Sequence, residues 1–196
     1  MSILDKTSSI QIPQIENDRL LLKPMETKFI SINYLQWMND KDVCKYLETS
    51  IPYSKFELED FVNSMIAKKI FFWAITLKHN DLHIGNIKID PINYRHRIGE
   101  YGILMGDKNN WGKGFGKEAS KQVIDYCFNV IGLRKITLGV IKDNVAAVKL
   151  YRTLGFEEEG IYRMHGKYAG KYRDAIRMAL FNMNDTDVQS YLASNS

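Results

Sequence analysis

Two cysteines in 196 residues, Cys44 and Cys127, leave nothing from which to build a disulfide framework. Both lie among apolar and aromatic neighbours, so each reads as a buried free thiol in a reducing compartment. Neither belongs to a CxxC pair or a Cys/His cluster, and no metal site is expected. No run of about 18 apolar residues occurs, so no segment reads as a membrane-spanning helix. Met1 to Gln14 lacks the apolar h-region of a secretory signal, and the cytoplasm is the expected address. Charge of one sign is scarce too. The 27 Lys and Arg against 23 Asp and Glu leave a net charge of +4, with no run of five basic residues. That gives no footing to a nucleic-acid surface, although a mild positive field suits a polyanionic ligand.

What is present is an ordinary globular composition, 45% hydrophobic and 26% charged, enough to fold one domain without staples. Residues 16–182 read as that domain. Residues 1–15 and 183–196 are polar, lack periodicity and read as tails.

Arg19 to Lys23 reads as a strand stopped by Pro24. Thr27 to Asn39 carries Ile30, Tyr34, Trp37 and Met38 at helical spacing, and Asp40 to Glu48 is expected as a second short helix. Ser54 with Glu57 forms a capping box before another helix. Ile70 to Leu77 is a continuous apolar run, as in a buried strand. After a turn at His79-Asn80-Asp81, His83 to Asp90 alternates and pairs back. Pro91 to Arg97 is expected as a polar loop, and Glu100 to Met105 as the next strand. Gly114 to Ile131 is the strongest helical pattern, closed by Gly132. A strand at Lys135 to Ile141 follows. A short helix capped by Asp143 or Asn144 ends at Gly155. Gly160 to Tyr168 and Lys171 to Phe181 form a last hairpin about Ala169-Gly170. The order β-α-α-β-β-β-α-β-α-β-β predicts an α/β layer fold with a mixed, mostly antiparallel central sheet flanked by helices.

The chemistry centres on Trp111-Gly112-Lys113-Gly114-Phe115-Gly116-Lys117, between a predicted strand and the strongest helix. Three glycines in five residues let main-chain N–H groups approach an anion, and the helix adds unpaired N–H groups and a positive dipole end. This is a pyrophosphate cradle in principle. Walker spacing is absent, and so is the dinucleotide GxGxxG. Taken alone, GxGxG is a weak signal, and a glycine-rich turn without a ligand competes with it.

The context is more specific. The glycine loop is followed by a helix, a strand and then Asn144-Val-Ala-Ala147-Val-Lys-Leu150-Tyr151-Arg-Thr-Leu154-Gly155-Phe156. This arrangement resembles the GNAT superfamily of N-acetyltransferases. The loop is similar to its R/Q-x-x-G-x-G/A motif and the second segment to its N-x-x-A-x-x-L-Y-x-x-L-G-F motif. Gly160-Ile-Tyr-Arg163, Gly170-Lys-Tyr-Arg-Asp174 and Ile176-Arg-Met178 resemble the group of ribosomal-protein N-terminal and spermidine N-acetyltransferases. Trp111 departs from the usual Arg or Gln, and Gly116 from the usual Ala.

The resemblance implies the GNAT fold, acetyl-CoA as co-substrate and no metal. It implies that Ile103, Leu104 and Met105 offer strand-edge groups to the pantetheine arm, and that Trp111, Gly112, Lys113, Gly114, Phe115, Gly116 and Lys117 hold the pyrophosphate. Asn144, Ala147, Val148 and Tyr151 would line the other side of the arm. Direct attack by an amine in a ternary complex is the implied route. Tyr151 would be the general acid toward the leaving thiolate, a phenol near ~10 against a thiol near ~8.5. Glu100 would be the base, through a water, if burial raises its affinity for protons. A core tyrosine and a solvated strand-end glutamate are the plain alternatives.

The acceptor is expected to be a small-molecule primary amine, such as an amino sugar or a nucleotide-linked amino sugar. The basic, aromatic stretch Asn93-Tyr-Arg-His-Arg97 suits a phosphate-bearing acceptor. A protein N-terminus and a polyamine are the alternatives, and a non-catalytic acetyl-CoA sensor is the rival from another class. His79, His83, His96 and His165 read as turn, loop or edge residues without a catalytic role. A homodimer is left open.

Overall fold

The computed structural model describes residues 11–49 and 51–195. Residues 1–10 of the expected N-terminal tail lie outside the described residues. The strands are β1 (Ile15–Glu16), β2 (Leu20–Pro24), β3 (Phe71–Leu77), β4 (His83–Asn93), β5 (Ile98–Met105), β6 (Lys135–Ile141), β7 (Glu157–Tyr168) and β8 (Lys171–Phe181). The helices are α1 (Ile32–Asn39), α2 (Lys55–Ala67), α3 (Phe115–Tyr126), α4 (Val145–Thr153) and α5 (Thr186–Ser194). Hydrogen-bonded neighbours follow the order β1-β2-β3-β4-β5-β6-β8-β7, so the sheet is mixed and mostly antiparallel, as expected. The chain divides into two compact units.

One unit holds the described part of residues 8–90 with Gly102–Gln122. Here β2 and β3 pair antiparallel from Leu20↔Leu77 to Pro24↔Trp73, and β3 pairs antiparallel with β4 from Phe71↔Ile89. All seven residues of β3 are buried, which is why its sequence is apolar without alternation. Tyr34, Trp37, Leu58, Val62 and Phe72 form the core of this unit. The capping box of α2 forms as the sequence indicates: the Glu57 N–H donates to Ser54 Oγ at 3.2 Å, and the Ser54 N–H to Glu57 Oε2 at 2.7 Å.

The helix expected over Thr27–Asn39 is broken at Ser31, whose Oγ caps α1 by accepting from the Tyr34 N–H. No helix forms at Asp40–Glu48. Asp40 Oδ1 accepts from the N–H groups of Asp42 and Val43, and this Asx turn competes with the helical ladder.

The other unit holds Pro91–Tyr101 and the residues from Val123 onward. β5 pairs in parallel with β6 over Ile98↔Lys135, Gly99↔Ile136 and Glu100↔Thr137. β6 and β7 both pair antiparallel with β8. The β7–β8 turn places Ala169 (φ 48°) and Gly170 (φ 77°) in the left-handed region, as a two-residue hairpin requires. α3 ends in a π-helical turn, Cys127–Ile131, closed by Gly132.

Two expectations fail in this unit. Pro91 lies inside β4 rather than in a loop. It sits beyond Ile89, the last residue of β4 that pairs with β3, so its missing N–H removes no bond there. Residues 186–194, expected as tail, form α5. Its cap is Asp185, which accepts from the N–H groups of Asp187 and Val188.

Candidate active site

The glycine turn is built in the unit that contains residues 102–122. Gly112 (φ 73°) and Gly114 (φ 84°) both take left-handed conformations. A Cβ on Gly112 would meet nothing within 4 Å, so the glycine is present for backbone conformation and leaves that side open. Asp107 accepts from the Asn109 N–H and from Asn110 Nδ2. Asn110 Oδ1 in turn accepts from Lys113 Nζ at 3.2 Å. Trp111 Nε1 donates to the Met105 carbonyl at 2.7 Å. One lone pair of that carbonyl, assigned to the pantetheine arm from the sequence, is therefore taken.

The first main-chain bond into α3 runs from the Glu118 N–H to the Gly114 carbonyl. Among the described residues no acceptor engages the N–H groups from Gly112 to Lys117. A diphosphate fits this arrangement: several donors, an open face, a helix dipole and two lysines.

In the other unit, Asn144 caps α4 by accepting from the Ala147 N–H at 3.3 Å. Val148 and Tyr151 are buried. The Tyr151 ring meets Tyr101 edge-on at 5.8 Å and Phe156 at 5.9 Å. Burial pushes its phenol up to about 12, so the side chain stays a proton donor through the neutral range.

Glu100 precedes Tyr101 on β5, and alternation along the strand turns the two side chains to opposite faces. The structure therefore does not cluster Glu100 with Tyr151. Glu100 accepts two bonds from Arg177, each 2.7 Å, and a third from Thr137 Oγ1 at 2.5 Å. The same carboxylate raises the affinity of Arg177 for its proton. Glu100 and Thr137 border a pocket of about 520 Å³ that also involves Pro91, Ile92, Asn93, Tyr94 and Ile98.

Within the basic stretch, Arg97 faces the start of α5. Its guanidinium is committed to Asp185 at 2.5 Å and to Asp187 at 2.6 Å. His83 is also no loose edge residue. It sits among the rings of Phe29, Tyr34 and Trp37, at 5.2, 5.7 and 4.9 Å, with Nε2 bonded to Asn86 Oδ1 and the Gly85 carbonyl.

Arg177, Thr137 and Arg19 were missed from the sequence. Arg177 stands inside the Ile176-Arg-Met178 motif, which carried the only signal of the three. No group of three or more His, Cys, Asp or Glu among the described residues is placed to hold a metal. No helix among them is long and apolar enough to cross a membrane.

The acetyltransferase (GNAT) domain family matches residues 19–157. The spermidine N(1)-acetyltransferase of Vibrio cholerae is 34% identical over 144 residues, covering 71% of this chain and 80% of that protein. The crystal structure of spermidine N-acetyltransferase from Vibrio cholerae in complex with CoA and spermine superposes with a TM-score of 0.77. The identity is 29%, over 84% of this chain and 96% of that one. Ribosomal-protein-S5-alanine acetyltransferase from Vibrio fischeri shares the fold, with a TM-score of 0.77 at 18% identity over 88% of this chain and 98% of that one.

Proposed function

The chain belongs to the acetyltransferase (GNAT) family and is an acetyl-CoA-dependent N-acetyltransferase, and from this premise we propose that its acceptor is a small cationic primary amine of polyamine type, acetylated by direct attack. The observation that carries the co-substrate half of this reading is the row of N–H groups from Gly112 to Lys117, unengaged among the described residues, at the start of α3. These amides would hold the pyrophosphate of acetyl-CoA, with Lys113 and Lys117 adding charge. Ile103 and Leu104 would offer main-chain groups to the pantetheine arm.

The acceptor follows from commitments of charge. A phosphate-bearing amino sugar calls for cationic partners, and the guanidinium groups of Arg97 and Arg177 are both paired with carboxylates. The spermidine N(1)-acetyltransferase of Vibrio cholerae, 34% identical to this chain over 144 residues, is named for a polyamine acceptor. These points favour a polyamine over a nucleotide-linked amino sugar.

In the reaction, the acceptor ammonium loses a proton to solvent and its nitrogen attacks the thioester carbon. The attacking nitrogen then gives up its second proton to water, the C–S bond breaks and the thiolate leaves the newly formed amide. Glu100, whose carboxylate Arg177 and Thr137 orient, would align the ammonium by accepting a hydrogen bond rather than take its proton outright. Full proton transfer from a phenol at about 12 to a thiolate whose acid lies near ~8.5 costs on the order of 5 kcal/mol. Tyr151 therefore acts best as a hydrogen-bond donor to the sulfur as charge develops, with protonation completed from solvent.

The test is thiol release from acetyl-CoA against spermidine, glucosamine and N-terminal peptides. Release with spermidine at the lowest KM is expected. Release with peptides alone would overturn the acceptor assignment. Calorimetric binding of acetyl-CoA without release on any amine would replace the enzyme by a sensor.

A further inference from the structure

We propose that Arg19 is a positioning residue for the pyrophosphate: it fixes the direction of a main-chain donor in the glycine turn and cancels the carboxylate of Glu118 beside it. The proposal rests on the reading of the turn as the pyrophosphate site.

Arg19 immediately precedes β2, 94 residues away in sequence from Lys113 and 99 from Glu118. Its Nε and Nη2 both donate to Glu118 Oε2, at 2.8 and 2.5 Å. Its Nη1 and Nη2 lie 3.4 and 3.3 Å from the Lys113 carbonyl oxygen. The guanidinium carbon stands 4.5 Å over the centre of the Phe115 ring. One planar fork thus touches the turn at residues 113, 115 and 118. The Arg19 side chain is half exposed, and a surface ion pair as such contributes little to stability. Three converging contacts of different kinds on one short turn call for another account.

The contact with the Lys113 carbonyl supplies it. A peptide group is planar and trans, so the carbonyl of residue 113 and the N–H of residue 114 point in opposite directions. That plane turns about ψ of Lys113 and φ of Gly114, and the glycine (φ 84°) offers little resistance on its side. Drawing the carbonyl toward Arg19 holds the Gly114 N–H facing away from it. A donor that is already oriented binds an anion without first ordering the turn.

The contact with Glu118 has a separate effect. A carboxylate in the first turn of α3 suits the helix dipole, but it also repels a diphosphate at the same end. Arg19 neutralises it at hydrogen-bond distance, and the lysines of the turn remain available to the ligand.

The experiment compares two donors, acetyl-CoA and acetyl-pantetheine, which lacks the pyrophosphate. In Arg19→Ala the KM for acetyl-CoA should rise about tenfold, the size of one lost charge-assisted bond. kcat/KM with acetyl-pantetheine should be unchanged. Arg19→Lys, which keeps charge but not the fork, should fall between. Arg19→Ala with Glu118→Ala should bind acetyl-CoA better than Arg19→Ala alone, because the uncancelled carboxylate has gone.

Gly112→Asp tests the turn itself, since its carboxylate would enter the open face in a conformation that Asp tolerates. If Gly112→Asp weakens acetyl-CoA and Arg19→Ala does not, the proposal is overturned and the turn reading stands. If neither changes acetyl-CoA, both fall. Equal losses with both donors in Arg19→Ala and Arg19→Gln would make Arg19 merely structural and would also overturn the proposal.

Discussion

Both terminal nitrogens of Arg177 donate to Glu100, Nη1 to Oε1 and Nη2 to Oε2, at 2.7 Å each. Glu100 is thereby held beside Thr137 as an oriented carboxylate. Glu100→Gln removes the charge but keeps the shape. The KM for the amine should rise about tenfold, as for one lost charge-assisted bond, while the KM for acetyl-CoA stays within about twofold. Steady-state kinetics varying each substrate in turn will decide. A changed acetyl-CoA KM with a normal amine KM would remove Glu100 from the acceptor side.

The hydroxyl of Tyr151 is the proposed donor to the leaving sulfur. Tyr151→Phe preserves the packing against Tyr101 and Phe156. A loss of about 10² in kcat is expected, typical of a removed acid or oriented donor, with little change in acetyl-CoA affinity. Should kcat survive nearly intact, the assignment to Tyr151 would be withdrawn.

Burial lowers the proton affinity of His83 below its usual value, against the opposing pull of its bonds to Asn86 and Gly85. The unfolded chain then binds the proton more readily than the folded one. The stability gained from a neutral His83 is present above pH ~6.5 and is lost as pH falls toward the depressed folded value. The melting temperature should therefore drop between about pH 6.5 and 5, above the range where carboxylates titrate. In His83→Gln that slope should flatten, and differential scanning fluorimetry across the window reads it. An identical slope in wild type and variant would clear His83 of the effect.

Asp185 joins two tasks, capping α5 and accepting from Arg97. Its pairing with Arg97 also holds its carboxyl below the ordinary range. Asp185→Ala should cost about 1–2 kcal/mol through the lost cap, with the partly exposed ion pair adding little. Amide exchange should accelerate first in residues 186–194. Unchanged protection there would show that packing of Val188, rather than the cap, retains the helix.

The local elements were legible because their causes are local. Ser54 and Glu57 satisfy each other's main-chain neighbours within one turn, so a capping box needs no information from elsewhere. Ala169-Gly170 marks the join between two strand-like runs, and Asn144 caps α4 by reaching three residues forward. Asp40–Glu48 departs from the expected helix because the Asp40 carboxylate offers the backbone a competing partner in an Asx turn. Residues 186–194 looked like a tail because a helix stabilised by docking need not show strong periodicity of its own.

The sequence by itself determined the turn at Gly112 to Gly116, the helix behind it and the order of elements that carries the GNAT signature. Each depends on glycine conformation, capping or spacing within a few residues. Only the tertiary structure decided what the charged side chains do. Arg97 faces Asp185, Arg177 holds Glu100, and Arg19 reaches across 99 positions to Glu118. Tyr151 is buried among rings that arrive from β5 and from Phe156 just ahead of β7, which sets its phenol near 12. A charge acquires its role from whatever lies across the sheet or beside the helix. Those neighbours follow from how the strands pair, and the spacing of residues along the chain carries no record of them.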